Sequence, residues 1–171
     1  MAKTYLDQIV TYPAKVLKRL SEDKYCLGLL LNKGFNTISE EDSDKALDEL
    51  LYDYQYIDDT TQEAIAYIWV EIDVDRVENK QIKGVRLYVT VACHKNYMKL
   101  NGSTFPGVVG NRRDNLVRYV DKLLNNTTFV GGIGALSLQS IRTLSPVSGF
   151  TLREITYRIP DFNIIELEET E

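Results

Sequence analysis

Between Tyr67 and Val91 apolar and polar residues alternate, with Ile68, Val70, Ile72 and Val74 on one parity and Val85, Leu87, Val89 and Val91 on the other. A side chain on a strand changes face at every residue, so this pattern predicts two half-buried strands. Folding the chain about Asn79 and Lys80, through a two- or four-residue loop, pairs Val74 with Val85, Ile72 with Leu87, Val70 with Val89 and Ile68 with Val91. The opposite face then sets Asp73 against Arg86, Glu71 against Tyr88 and Trp69 against Thr90, the mixed pairs of a half-solvated sheet. After an irregular crossing the period changes. In GNRRDNLVRYVDKLLNN the apolar positions Leu116, Val117, Val120, Leu123 and Leu124 follow a helix. One hairpin and one helix are thus expected to form the core.

The flanking segments read less sharply. Residues 2–31 are helical by pattern, with Tyr5, Leu6, Ile9 and Val10 as one stripe and Val16, Leu17 and Leu20 as the next. Pro13 lies between them, where a kink or a fresh helix start is expected. Gly34 is placed as a helix stop. Ser39, with Asp42 or Ser43, reads as the N-terminal cap of EEDSDKALDELL, whose Ala46, Leu47, Leu50 and Leu51 turn inward. LYDYQYID reads as a short strand and DDTTQEA as a turn. Farther on, ALSLQSIRTL and FTLREITYRIPDF are two more strands joined by the turn residues of SPVSG. On the last strand Ile155, Tyr157 and Ile159 share a face, and Pro160 ends ladder pairing. This order predicts an α+β fold: an antiparallel or mixed β-sheet with a long central hairpin, packed against helices. The reading is of one domain, 1–171, with a helical part at 1–51, a sheet-and-helix core at 52–163 and an acidic tail at 164–171.

Composition narrows the function classes. The 171 residues are 44% hydrophobic and 26% charged, enough for one core without a metal or disulfide. No stretch approaches the ~18 apolar residues of a membrane span, and MAKTYLDQIVTYP lacks the apolar run of a signal peptide, so no membrane or secretory role is expected. Cys26 and Cys93 are expected to be buried, reduced thiols. A net charge of -5 argues against specific nucleic-acid binding, which needs clustered Lys and Arg.

Each candidate for chemistry has a plainer reading. Glu71, Asp73 and Asp75 form a carboxylate row of the type that could hold a divalent cation, but an exposed sheet face neutralised by Arg86 across the hairpin is the preferred reading. His94, the only histidine, stands beside Cys93 with no companion ligands or elbow motif. GGIG at 131–134 lacks the Lys and Ser/Thr of a phosphate loop and precedes a strand, so it reads as a connection. Arg112 and Arg113 occupy a first helical turn against the dipole, at ~0.3–1 kcal/mol each when exposed, which suggests a use. An ion pair with Asp114 or with sheet carboxylates is one; a neighbouring subunit is the other. No catalytic residue, cofactor or metal site is assigned. A metal-dependent nucleic-acid-processing enzyme built on Glu71, Asp73 and His94 is the competing class.

The run DYQYID, a hairpin ending in VTVACHK, the GNRRDNLVRYVDKLLN helix, FVGGIG and a strand closing on YRIPDFN resembles head and tail morphogenesis proteins of tailed bacteriophages. The layout is most similar to tail terminator, or tail completion, proteins. That resemblance spans Tyr54 to Asn163 and implies a virion protein, assembled in the bacterial cytoplasm. Such a protein forms a ring, often a hexamer, that caps the tail tube and meets a neck or connector protein while DNA passes through. Another neck role, or a monomeric interaction domain, is the alternative. Arg112, Arg113, Asp73 and Arg86 are then expected at the subunit interface and Glu71 and Asp75 along the pore. Replacing Arg112 and Arg113 with Glu is expected to stop assembly and leave the monomer folded.

Overall fold

The computed structural model describes residues 5–57, 63–78, 81–128 and 135–159. In chain order these form α1 (Tyr5–Ser21), α2 (Lys24–Leu31), α3 (Glu40–Glu49), β1 (Leu51–Tyr52), β2 (Ala66–Glu78), β3 (Gln81–His94), a 3-10 turn at Lys95–Tyr97, α4 (Arg112–Leu124), β4 (Ser137–Val147) and β5 (Phe150–Ile159). The fold is α+β. Its five-stranded sheet has the order β1-β2-β3-β5-β4, with β1 parallel to β2 and every other pair antiparallel, so the sheet is mixed.

The central hairpin has the register read from its alternation: Ile68 opposite Val91, Val70 opposite Val89, Ile72 opposite Leu87 and Val74 opposite Val85, with Asp73 opposite Arg86. Pairing continues outward to Glu78 with Gln81. Asn79 and Lys80 themselves, the GGIG segment, Pro160, the acidic tail and part of DDTTQEA lie outside the described residues. The inner face continues from β3 into β5, where Ile155, Tyr157 and Ile159 are buried with Val85, Leu87 and Val89. Against this face α1 lies over β2, and α4 lies over β3 and β5. The α4 stripe of Leu116, Val117, Val120 and Leu124 is buried as its period requires.

β4 and β5 meet in a tight turn at Ser148 and Gly149, whose φ values of 47° and 82° are the left-handed pair of a type I′ hairpin. β4 is an edge strand, exposed along most of its length, and Pro146 is tolerated there because no inner ladder needs its missing N–H.

Several local expectations are corrected. Pro13 neither divides nor restarts α1, which continues through it. Ile9, Tyr12, Val16, Leu17 and Leu20 bury one stripe across the proline, so tertiary packing carries the helix past the missing hydrogen bond. Gly34 does not stop α2: Asn32, at φ 56°, takes the left-handed cap position two residues earlier. The tyrosine-rich segment after α3 supplies only two strand residues. Nor is the hairpin's second face uniformly half-solvated. Trp69 and Thr90 are buried, whereas Glu71, Asp73 and Arg86 are exposed. Near the buried end Tyr67 packs against Tyr52, Tyr56 and Phe150 at centroid distances of 6.0, 5.6 and 5.6 Å. At Ser39 the expected cap is present: Ser39 and Asp42 form a capping box, and Asp42 also takes Lys33 at 2.5 Å.

Candidate interaction surface

The outer sheet face carries rows of polar side chains set by strand register. Arg142 of β4 lies opposite Glu154 of β5, which lies opposite Thr90; one row on, Ser140 meets Thr156, Tyr88 and Glu71. These rows enclose two shallow neighbouring hollows. One, of about 220 Å³, is lined by Glu71, Asp73, Tyr88, Arg142 and Glu154. The other, of about 200 Å³, is lined by Arg86, Tyr88, Gln139, Ser140, Arg142 and Thr156. Arg142 Nε donates to Glu154 Oε1 at 2.7 Å and sits between the two. Carboxylates and guanidinium groups thus alternate across a surface suited to macromolecular contact, with charges of both signs in reach.

The described part of the carboxylate row does not extend into a metal site: among the described residues no group of three or more His, Cys, Asp or Glu is placed to hold an ion. Asp75's side chain lies outside the described residues. His94 is six residues along β3 from Tyr88, the partner of Glu71. At ~3.4 Å per residue that is ~20 Å, too far for the three residues of the competing enzyme reading to share a centre. His94 is instead buried edge-on to Phe150 at 5.2 Å, and its Nδ1 accepts from the Asn96 backbone N–H. Cys26 and Cys93 are free and buried. Burial pushes the Cys93 thiol up to about 12, against the opposing charges of Arg112 and Arg113, and burial with nearby Asp23 raises Cys26.

The two arginines of α4 divide. Arg112 is 1% exposed, which corrects its assignment to a subunit interface. Its Nε donates to the Tyr97 carbonyl at 2.8 Å, one terminal nitrogen to the Leu29 carbonyl, and the other to Asn32 Oδ1 at 2.7 Å. The guanidinium lies 3.8 Å from the Tyr97 ring centroid. The backbone N–H of Arg112 donates to the Met98 carbonyl at 2.9 Å. Leu29 lies in the last turn of α2, where carbonyls lack helical partners and a cation is favoured. The cost of an arginine at one helix start is thus offset at the end of another. Sequence reasoning missed this because, apart from Tyr97, the partners lie 80 or more positions away, and two of the three are backbone carbonyls that carry no side-chain signature.

Arg113 takes the expected local partner, Asp114, at 3.1 Å. The same carboxylate oxygen lies 3.5 Å from Arg153 Nη1, and Arg153 Nη2 donates to Thr143 Oγ1 on β4. Arg153 Nε is buried with no hydrogen-bond partner. Burial alone would raise the Asp114 carboxyl, but the hydrogen bond from Asn111 and the charges of Arg113 and Arg153 hold it below its ordinary value. Two guanidinium groups therefore share one carboxylate at the β4–β5 margin.

A family model, YomW, matches residues 21–159. The chain belongs to the YomW family. The family is phage-derived, and the match points to a phage protein. The YomW match runs from the end of α1 to the last residue of β5, taking in the whole sheet and every element that positions the outer face. No curated protein and no solved structure matches the chain.

Proposed function

We propose that this YomW-family chain is a structural virion protein of a tailed phage, a terminator-like subunit of a ring that caps the tail tube and joins it to the neck. The observation that carries the reading is the phage-derived family match over the whole sheet, on a fold whose β4 edge, and whose outer face around Glu71, Asp73, Arg86 and Arg158, are polar and exposed. Helices cover the inner face, so the outer face and the sheet edges are the surfaces with capacity for partners. In this reading Glu71 faces the channel, where negative charge repels the phosphate backbone and lets DNA slide without being trapped. Asp73, Arg86 and Arg113 stand nearer the subunit boundaries, and the partners are further copies of this chain, a tail-tube protein and a connector.

Co-sedimentation with assembled tail tubes of the same phage tests the reading. Binding at a fixed small number of copies per tube end, visible as capped ends, is expected. Uniform binding along the tube, or none, would remove the terminator assignment.

A further inference from the structure

The net charge of -5 conceals a strong polarity across the sheet. Residues 39–56, which form α3, β1 and the tyrosine segment, carry seven carboxylates and one lysine, a formal -6. Residues 137–159, which form β4 and β5, carry three arginines and one carboxylate, a formal +2. Topology sends these groups to opposite margins. α3 leads directly into β1 and packs on it, while β4 closes the far end of the strand order.

Four strand spacings of ~4.8 Å place the margins ~19 Å apart, beyond the ~8–10 Å Debye length at physiological ionic strength. Within one chain the two patches are therefore screened from each other. Arg158, and Arg142, which pairs with Glu154 yet keeps 62% of its side chain exposed, remain open to an opposite patch brought into contact.

The basic margin has a second property. β4 is an edge strand eleven residues long, paired only on its β5 side among the described residues, and its Ile141 and Val147 are 44% and 40% exposed. A long, partly apolar edge invites cover. The acidic margin offers Tyr54, 54% exposed beside Asp53, of the aromatic type that anchors interfaces with arginine.

We infer that the β4 edge of one copy docks on the α3–β1 margin of a second copy, head to tail, with Arg142 and Arg158 facing the exposed Asp44, Asp48 and Asp53. This rests on the ring reading and gives that ring its interface. A heterologous contact repeats around a circle when its rotation closes and runs on as a filament when it does not.

Charge swapping tests it. Variant A carries Asp44→Lys and Asp48→Lys, which leave the Ser39–Asp42 cap intact; variant B carries Arg142→Glu and Arg158→Glu. Association of the full chain is followed by sedimentation velocity and light scattering at low and high salt, with circular dichroism confirming that each variant is folded. Each variant alone is expected to lose self-association by more than about tenfold, and a chain carrying all four changes to recover it. Wild-type association should also fall as salt rises. Self-association kept by both A and B, or not recovered by the four-fold variant, would overturn this interface and leave the ring reading standing. A wild-type chain that stays monomeric at low salt, at the highest concentration reached and with tail tubes present, would overturn the ring reading and the inference together.

Discussion

Arg112→Ala should be among the most damaging substitutions outside the apolar core. It removes a guanidinium that joins three separated pieces: the end of α2 through Leu29 and Asn32, the 3-10 turn through Tyr97, and the start of α4. Two backbone carbonyls and one amide oxygen lose their donor in an enclosed space. At ~1–3 kcal/mol for each unsatisfied buried group, the two carbonyls alone imply ~2–6 kcal/mol, and a loss near 4 kcal/mol is expected. Burial pulls the Arg112 pKa down, yet a guanidinium stays charged, so its three directed hydrogen bonds must also offset desolvation. Lysine keeps the charge and not the fork, so Arg112→Lys should fall between Ala and wild type. Urea and thermal unfolding measure the loss. For a domain of this size ~4 kcal/mol corresponds to a fall in Tm of ~8–16 °C. A loss under ~1 kcal/mol for Arg112→Ala would refute the tie. The paired Arg112→Glu, Arg113→Glu change should accordingly unfold the subunit, not simply dissociate it.

Gly28→Ala should destabilise by ~1–3 kcal/mol in urea unfolding, although alanine is the better helix former, because the added Cβ would sit 2.6 Å from Phe35 Cδ1 and 2.8 Å from the Lys33 carbonyl. Cys26 and Cys93 should resist a thiol reagent at pH 8 in the native protein and react fully in denaturant; fast native labelling of either would contradict their burial. With thiol pKa values raised by folding, their contribution to stability is present below the unfolded value of ~8.5 and declines above it, toward about 12 for Cys93, so Cys93→Ala should flatten the alkaline limb. Asp42, through hydrogen bonds from Lys33 and Ser39, and Asp114 titrate below the ordinary carboxylate range when folded. Their contribution is complete above the unfolded value of ~3.9 and is lost as pH falls through the folded values; Asp42→Asn and Asp114→Asn should therefore show shallower acid unfolding, and an unchanged acid limb would contradict the pairing.

What could be read in the chain was what local periodicity encodes. The hairpin register follows from strict alternation, because a one-residue slip would send Val70 and Val89 to the opposite face. The capping box at Ser39, the α4 stripe and the shared face of Ile155, Tyr157 and Ile159 are likewise short-range patterns. Features set by distant contacts were not legible. Pro13 stays inside α1 because Tyr12 and Val16 are buried on either side of it, and no property of the dipeptide says so. Arg112 looked like a spare cation because its acceptors are mostly backbone. The parallel pairing of β1 on β2 depends on where α3 delivers the chain. The charge polarity across the sheet was present in composition but had no meaning until strand order placed β1 and β4 at opposite edges.

Imaging of the purified chain by negative-stain electron microscopy, alone and with tail tubes, bears most directly on the central claim. Closed rings of uniform diameter with a channel of DNA-duplex width, found free or seated on tube ends, are expected. Dispersed single subunits in both preparations, with tube ends left bare, would contradict it.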